Sequence, residues 1–228
     1  MVSQKINSVV AGSVLAASLV CATSGAYAYG TGDVILRAGA VSVQPDDDSS
    51  LLNINGVKTA GTKAEVDGDT QLGLTGTYML SPNVGIGLLL ATPFEHDIKA
   101  AGVNAGTVEQ LPPTLTVQFF PMASSSAFQP YVGAGVNYTK FFSEKVDSEL
   151  ETALTESGGS LVIQDSVGLA LEAGFDYALD DHWLVSAQVW YIDIEADDAR
   201  FKFNSGTRVN VDIDIDPWVY MLSAGYKF

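Results

Sequence analysis

Apolar residues recur at every second position through most of this chain, a period of two rather than 3.6, which signals strands rather than helices. Val167, Leu169, Leu171, Ala173, Phe175, Tyr177 and Leu179 alternate with Ser166, Gly168, Ala170, Glu172, Gly174, Asp176 and Ala178. One face of that segment is continuously apolar and ends in aromatics, while the other is small or polar. Trp218, Tyr220, Leu222, Ala224, Tyr226 and Phe228 repeat the arrangement against Val219, Met221, Ser223, Gly225 and Lys227. The same reading predicts eight strands, over about 33–44, 64–80, 83–97, 111–121, 129–142, 164–180, 183–197 and 208–228. Ser81-Pro82-Asn83, residues 122–128 and Asp180-Asp181-His182 read as short turns, whereas 45–63, 98–110, 143–163 and 198–207 are longer polar connections. Short and long connections alternate. That is the plan of an all-β, eight-stranded antiparallel up-and-down transmembrane barrel, with tight periplasmic turns and longer extracellular loops.

Alternation by itself does not say which face is outside, because a soluble lipocalin-type barrel alternates with its apolar face inward. Three observations place the apolar face outward. The polar face carries Arg37, Gln71, Gln118, Glu172 and Asp176, which a dry core accepts only when paired. It also carries Gly85, Gly87, Gly133, Gly135, Gly168 and Gly174, which would fill a core badly. The aromatics Tyr78, Tyr138, Tyr177, Trp183, Tyr226 and Phe228 lie near strand ends on the apolar face, as interfacial girdles do.

The first 28 residues carry a different signal. Lys5, the apolar stretch from Val9 to Val20 and the Ala26-Tyr27-Ala28 site read as a cleaved secretory signal peptide, leaving residues 29–228 as the barrel domain. Cys21, the only cysteine, falls in that segment, so a chain starting at Tyr29 has no disulfide, thiolate or cysteine-ligated metal. After it no run approaches the ~18 apolar residues of a spanning helix. The charged fraction of 17% is below the ~25% usual in soluble domains. Eleven Lys and Arg against 27 Asp and Glu give a net charge of −16, which repels phosphate and excludes nucleic acid as a partner.

Candidate chemistry is sparse. His96 and His182 are the only histidines, and the predicted barrel puts them at opposite ends, so no base and nucleophile pair forms and the protein is not expected to be an enzyme. Asp46-Asp47-Asp48, Asp197-Asp198 and Asp212/Asp214/Asp216 are acidic clusters in or near loops. The last three should share a strand face but lack the glycine-turned spacing of a calcium loop, so neither metal nor cofactor is expected. Inside the barrel the alternation turns Leu89, Leu184, Ser186, Gln188 and Trp190 inward, and Arg37, Glu172 and Asp176 become lumen charges that should be paired.

Longer blocks carry a family resemblance. LPPTLTVQFF (111–120), QPYVGAGVNYTKFF (129–142), HWLVSAQVWYIDIE (182–195) and DPWVYMLSAGYKF (216–228) resemble the OmpW family of small outer-membrane proteins, and GDVILRAGAVSVQP (32–45) and 71–96 are similar to its N-terminal half. The resemblance implies a monomeric barrel in the outer membrane of a Gram-negative bacterium, among membrane lipid and lipopolysaccharide, with a narrow and rather hydrophobic lumen. It implies entry of small hydrophobic molecules and their release sideways through the wall. Leu89 and Trp190 match positions that narrow the lumen in that family, and are expected to form a hydrophobic constriction. Phe120, Tyr131 and Met221 are weaker candidates for the same apolar lining. The terminal Phe228 looks like the signal read by the outer-membrane assembly machinery. The loops 45–63 and 143–163 depart from the family, so nothing about the mouth carries over. Two rival readings stay open: a structural or surface-interaction barrel with a plugged lumen, contacting host or phage, and a narrow cation-preferring pore.

Overall fold

The computed structural model describes residues 29–46, 48–60 and 62–228; the expected signal peptide lies outside the described residues. Eight strands form the barrel wall: β1 (Val34–Gln44), β2 (Asp69–Ser81), β3 (Val84–Ala91), β4 (Thr114–Phe119), β5 (Phe128–Val146), β6 (Ser166–Ala178), β7 (Trp183–Ile192) and β8 (Trp218–Lys227). Each pairs antiparallel with its sequence neighbours, and β8 returns to β1 in the register Ile35↔Lys227 to Gln44↔Trp218. Closure leaves the spanning wall without an exposed sheet edge, the condition hydrocarbon imposes on it. The wall bends tightly enough that a Cβ on Gly135 would stand 1.8 Å from the Leu115 carbonyl oxygen. A lumen-facing side chain has no room there.

Between the ends, the outer face is apolar. Leu72, Leu74, Ile86, Leu88, Leu115, Val117, Leu169, Leu171 and Leu222 are exposed, while their neighbours in sequence point inward and are buried. Aromatics frame this band. At the turn end Trp183 meets Tyr226 edge-on with centroids 5.1 Å apart, and Tyr226 meets Phe228 at 4.8 Å. At the loop end Tyr191 packs on Trp218 at 5.3 Å. Trp183 and Tyr191 are eight residues apart on β7, about 27 Å of strand. At the ~40° tilt of such barrels this spans about 20 Å of bilayer, suited to a thin outer membrane.

Beyond that band the wall continues, which corrects the expected loops. Residues 98–110 are not a polar connection: Phe94–Ala100 and Val103–Leu111 form a hairpin that extends the barrel, with Ala64–Val66 added at its edge. The 143–163 connection holds the end of β5, the helix α1 (Ser148–Leu154) capped by Asp147, and the strand Ser160–Val162. The latter joins Glu195–Lys202, Arg208–Asp214, Asn53–Ile54 and Val57–Lys58 in a second sheet, to which Asp48–Ser49 is added beside Arg208–Asp214.

The reason lies in the solvent. Outside the bilayer the outer face meets water, so the polar residues turn out and the apolar ones in. Val209, Val211, Ile213 and Ile215 are buried, as are Phe94, Ile98, Phe141, Ile192, Ile194, Phe201 and Phe203, and together they form one apolar core at the loop end. The same chain is inside-out in lipid and conventional above it.

Replacing Leu222, 70% exposed at mid-wall, by Arg should destabilise the barrel by about 2–4 kcal/mol in lipid vesicles. Urea unfolding in vesicles checks this; the same change at Val162, on the loop-end sheet, should cost far less.

A polar layer beneath an apolar core

Inward positions of β1, β2, β4 and β6 bring together residues that are far apart in sequence. Arg37 is fully buried, and its Nε donates to Asp176 Oδ1 at 2.8 Å while Nη2 donates to Asp176 Oδ2. Tyr29, just before β1, adds its hydroxyl to Asp176 Oδ2 at 2.6 Å. Arg37 Nη1 donates to Thr77 Oγ1 at 2.8 Å, and Thr77 donates to Gln118 Oε1 at 3.0 Å. Gln118 Nε2 in turn donates to Glu172 at 2.9 and 3.0 Å, and Thr116 Oγ1 donates to Glu172 Oε2 at 2.7 Å. The three expected lumen charges therefore sit in one hydrogen-bonded layer across the barrel. Arg37 and Asp176 are the expected ion pair. Glu172 is held instead by a hydroxyl and an amide.

On the turn side of this layer Phe120 packs edge-on against Tyr29 (5.3 Å) and beside Tyr131 (4.8 Å), with Ile35, Met79 and Leu184 completing a small plug. Arg37 lies over the Tyr131 ring at 5.8 Å, and Gln188 donates to the Tyr131 hydroxyl at 2.6 Å. On the loop side Leu89 and Trp190, both buried, close against Thr75, Thr116, Gln118 and Glu172, leaving no space that holds a water molecule. Trp190 is the ladder partner of Glu172 and belongs, with Leu89 and Met221, to the apolar core above.

Two expectations change here. Phe120 and Tyr131 do not share one apolar lining with Leu89, Trp190 and Met221: the polar layer separates them, and they belong to the apolar plug at the turn end. Of the expected row of Asp212, Asp214 and Asp216, only the first two lie on the strand. The strand ends at Asp214, and Asp216 adopts a left-handed backbone (φ 36°), its carboxylate accepting from Tyr191 Oη at 3.2 Å and Ile194 N at 3.3 Å.

The wall itself lapses beside Leu89. Pairing of β3 with β4 stops at Leu89↔Thr114, and the hairpin above resumes at Phe94↔Gln110. The interval carries Pro93, Pro112 and Pro113, which have no N–H to give a ladder. Asn137 and Tyr138 of β5 donate instead to the Pro113 carbonyl, at 3.3 and 3.1 Å. These prolines stand in the sequence as a strand breaker, and they were the available signal for the lapse. The Gln118–Glu172 contact had no such signal.

The two histidines do lie at opposite ends. His182 stacks on Tyr226 at the turn end (5.3 Å). His96, in the hairpin above the bilayer, is buried, with Nδ1 2.6 Å from the Asp67 carbonyl and Nε2 2.8 Å from Gln110 Nε2. The first contact needs an N–H on Nδ1 and the second a bare Nε2, so this is a neutral imidazole, and burial lowers its proton affinity.

Removing one partner of the central ion pair strands the other. Asp176→Ala should cost about 3–5 kcal/mol, and the double change Arg37→Met with Asp176→Leu should recover much of it; equilibrium unfolding in detergent measures both. His96 acts with the opposite pH sense to a paired histidine. Above about pH 6.5 it is neutral folded or unfolded; below that the unfolded chain takes the proton more readily, so stability falls as pH falls. The protection factors of the Ile98 and Val108 amides, taken against intrinsic exchange at each pH, should fall on acidification, and His96→Phe should remove the dependence.

Known proteins share this architecture. A model of the OmpW family matches residues 30–228. Outer membrane protein W of Vibrio cholerae is 41% identical over 210 residues, covering 89% of this chain and 91% of that protein. The crystal structure of the outer membrane protein OprG from Pseudomonas aeruginosa superposes with a TM-score of 0.82 at 47% identity, covering 90% of this chain and 99% of that one. A more distant relative from P. aeruginosa, 22% identical over 186 residues (80% of this chain, 82% of that protein), is named dibenzothiophene metabolism operon protein PahQ. Apolar-out strands, barrel closure and this match along the whole barrel agree: the chain is an outer-membrane β-barrel and belongs to the OmpW family.

Proposed function

We propose that this barrel gives small hydrophobic molecules passive passage across the outer membrane, through the loop-side half of its interior and out sideways through the wall. The observation that carries the reading is the order of environments: an apolar core, a narrow point at Leu89 and Trp190, then a polar layer, with a lapsed ladder beside the narrow point. A solute that has shed its water gains about 0.8 kcal/mol per buried CH₂ group. It would forfeit that gain among Arg37, Asp176 and Glu172, whose hydrogen bonds it cannot replace. The lateral step into lipid keeps it. The lapse at Pro93, Pro112 and Pro113 is the stretch of wall where parting the strands breaks fewest backbone hydrogen bonds. The name of PahQ, which refers to a flat apolar sulfur heterocycle, supports this class of cargo.

In this scheme lipopolysaccharide blocks direct partitioning and the barrel bypasses it. The entrance belongs to the loop-end hairpins, the narrow point to β3 and β7, and the exit to the seam between β3 and β4. The protein acts as a monomer, and Phe228 serves as its assembly signal.

Uptake of labelled naphthalene should be faster in cells carrying this protein than in cells expressing an unrelated barrel at equal level with matched lipopolysaccharide. A disulfide across the lapse, from Ala91→Cys with Pro112→Cys in a mature chain without cysteine, should slow uptake severalfold, and reduction should restore it. Trp190→Ala should alter the rate and the size preference. If uptake is the same with and without the protein, the conduit is wrong and the surface-interaction barrel takes its place.

A further inference from the structure

The chain carries eleven Lys and Arg, and four of them share one face of the loop-end sheet. In that sheet Phe201 pairs with Val209, and both are buried; the residues flanking them point the other way, to solvent. Lys202 stands directly opposite Arg208, and Arg200 opposite Asn210. Asn210 pairs in turn with Asn53, and Asn53 with Lys58. In a protein with 27 acidic residues, register has gathered cations and amides into one outward patch.

The Lys202–Arg208 pair is the telling feature. Like charges directly opposite on a sheet face are destabilising. Among the described residues no ion pair offsets either cation. Acids do lie on the same face, at Glu195, Asp212 and Asp214, but further toward the membrane. A local conflict of this kind, kept without compensation, is expected at a functional site.

Beside the pair is a cleft of about 450 Å³ lined by Asn53, Asn55, Gly56, Gly206, Arg208 and Asn210, within the ~300–1,000 Å³ of small-ligand sites. Gly56 and Gly206 turn the two bordering hairpins at φ 90° and 95°, and a Cβ on either would meet nothing within 4 Å, so the turns leave bare backbone at the rim. Asn55 Oδ1 accepts from Arg208 N at 2.9 Å, which ties the two turns together and leaves the Asn55 amide N–H free to donate outward. Among the described residues nothing engages the side-chain amides of Asn53 and Asn210.

We propose that this cleft binds an acidic polysaccharide of the uronic-acid type. Arg208 and Lys202 take the sugar carboxylates, a guanidinium being matched in shape to a carboxylate. Asn53, Asn55 and Asn210 present amide donors and acceptors to the sugar hydroxyls. Nucleic acid is the poorer occupant, because the lining has no aromatic ring on which a base could stack. Lipid phosphates are poorer too, since the cations stand at the far tips of the sheet and its membrane-proximal end is acidic. The site is independent of passage through the barrel.

The test is calorimetric titration of the folded protein in detergent micelles with oligogalacturonate, using neutral dextran and polyglutamate as controls. Saturable binding of oligogalacturonate alone is expected. Lys202→Ala with Arg208→Ala should weaken it about tenfold or more, as should raising salt from about 50 to about 300 mM. Asn53→Ala with Asn210→Ala should weaken it with the salt dependence unchanged. Lys202→Glu gives a second reading that does not depend on affinity: it should raise the unfolding midpoint by turning repulsion into attraction, while abolishing binding. Absence of saturable binding, equal affinity for polyglutamate, or binding untouched by the cation changes would each overturn the proposal.

Discussion

Hydrocarbon offers a peptide group no hydrogen-bond partner, and eight strands closing on themselves is close to the smallest solution that satisfies every ladder. The rest of this structure follows from that closure. A barrel of this size has an interior filled by side chains, so whatever occupies the lumen decides what the protein can pass. Here the filling is stratified. Aromatic and aliphatic residues around Phe120 seal the turn end, the Arg37–Asp176 pair and the Glu172 cradle form a polar stratum above it, and an apolar core occupies the loop end. The polar stratum depends on the closed wall in turn, because its seven participants come from Tyr29 and four strands, and only closure brings them within hydrogen-bonding distance.

The stratification also explains how one chain can use apolar residues in two opposed ways. On β8, Trp218, Tyr220 and Leu222 face outward into lipid, while Val219 and Met221 face inward into the core. A few residues earlier, Val209, Val211 and Ile213 are buried inside and Arg208, Asn210 and Asp212 face water. Which face points inward does not change between the two stretches. The solvent outside does, and the side of the wall that carries apolar residues changes with it.

That change marks the limit of what could be read from the residues. The strands in lipid were legible because their outward faces are continuously apolar over many residues, as in 166–179, and the period of two then oriented Leu89 and Trp190 inward correctly. The hairpin over 94–111 was not, although Phe94, His96, Ile98 and Ala100 alternate as regularly with Glu95, Asp97 and Lys99. Its apolar positions keep the even-numbered phase of β3, but the strand turns over across Thr92 and Pro93, so that Phe94 faces inward where Leu90 faced lipid; its outward residues are charged, and it reads as a loop when judged by the rule for lipid-facing strands. The pairing of Arg37 with Asp176 was accessible as a principle, since buried charges seek partners, but the partner was chosen by a register that spans 139 residues. The separation of Phe120 and Tyr131 from the other lining candidates was hidden for the same reason: alternation says that a residue points inward, not at which height along the axis it meets its neighbours.

Height along the axis is also what divides the chemistry of the loop end. The core within it is built of residues that reject charge, and the sheet that encloses it carries cations on the opposite face of the same strands. Phe201 and Val209 close the core from one side while Lys202 and Arg208 stand on the other, so a single pair of strands separates an apolar interior from a basic exterior. Because successive side chains alternate across a strand, neither face constrains the composition of the other. An eight-stranded barrel with a wall extended beyond the bilayer therefore has two independent surfaces available for recognition, and its narrow lumen need not account for everything the protein meets.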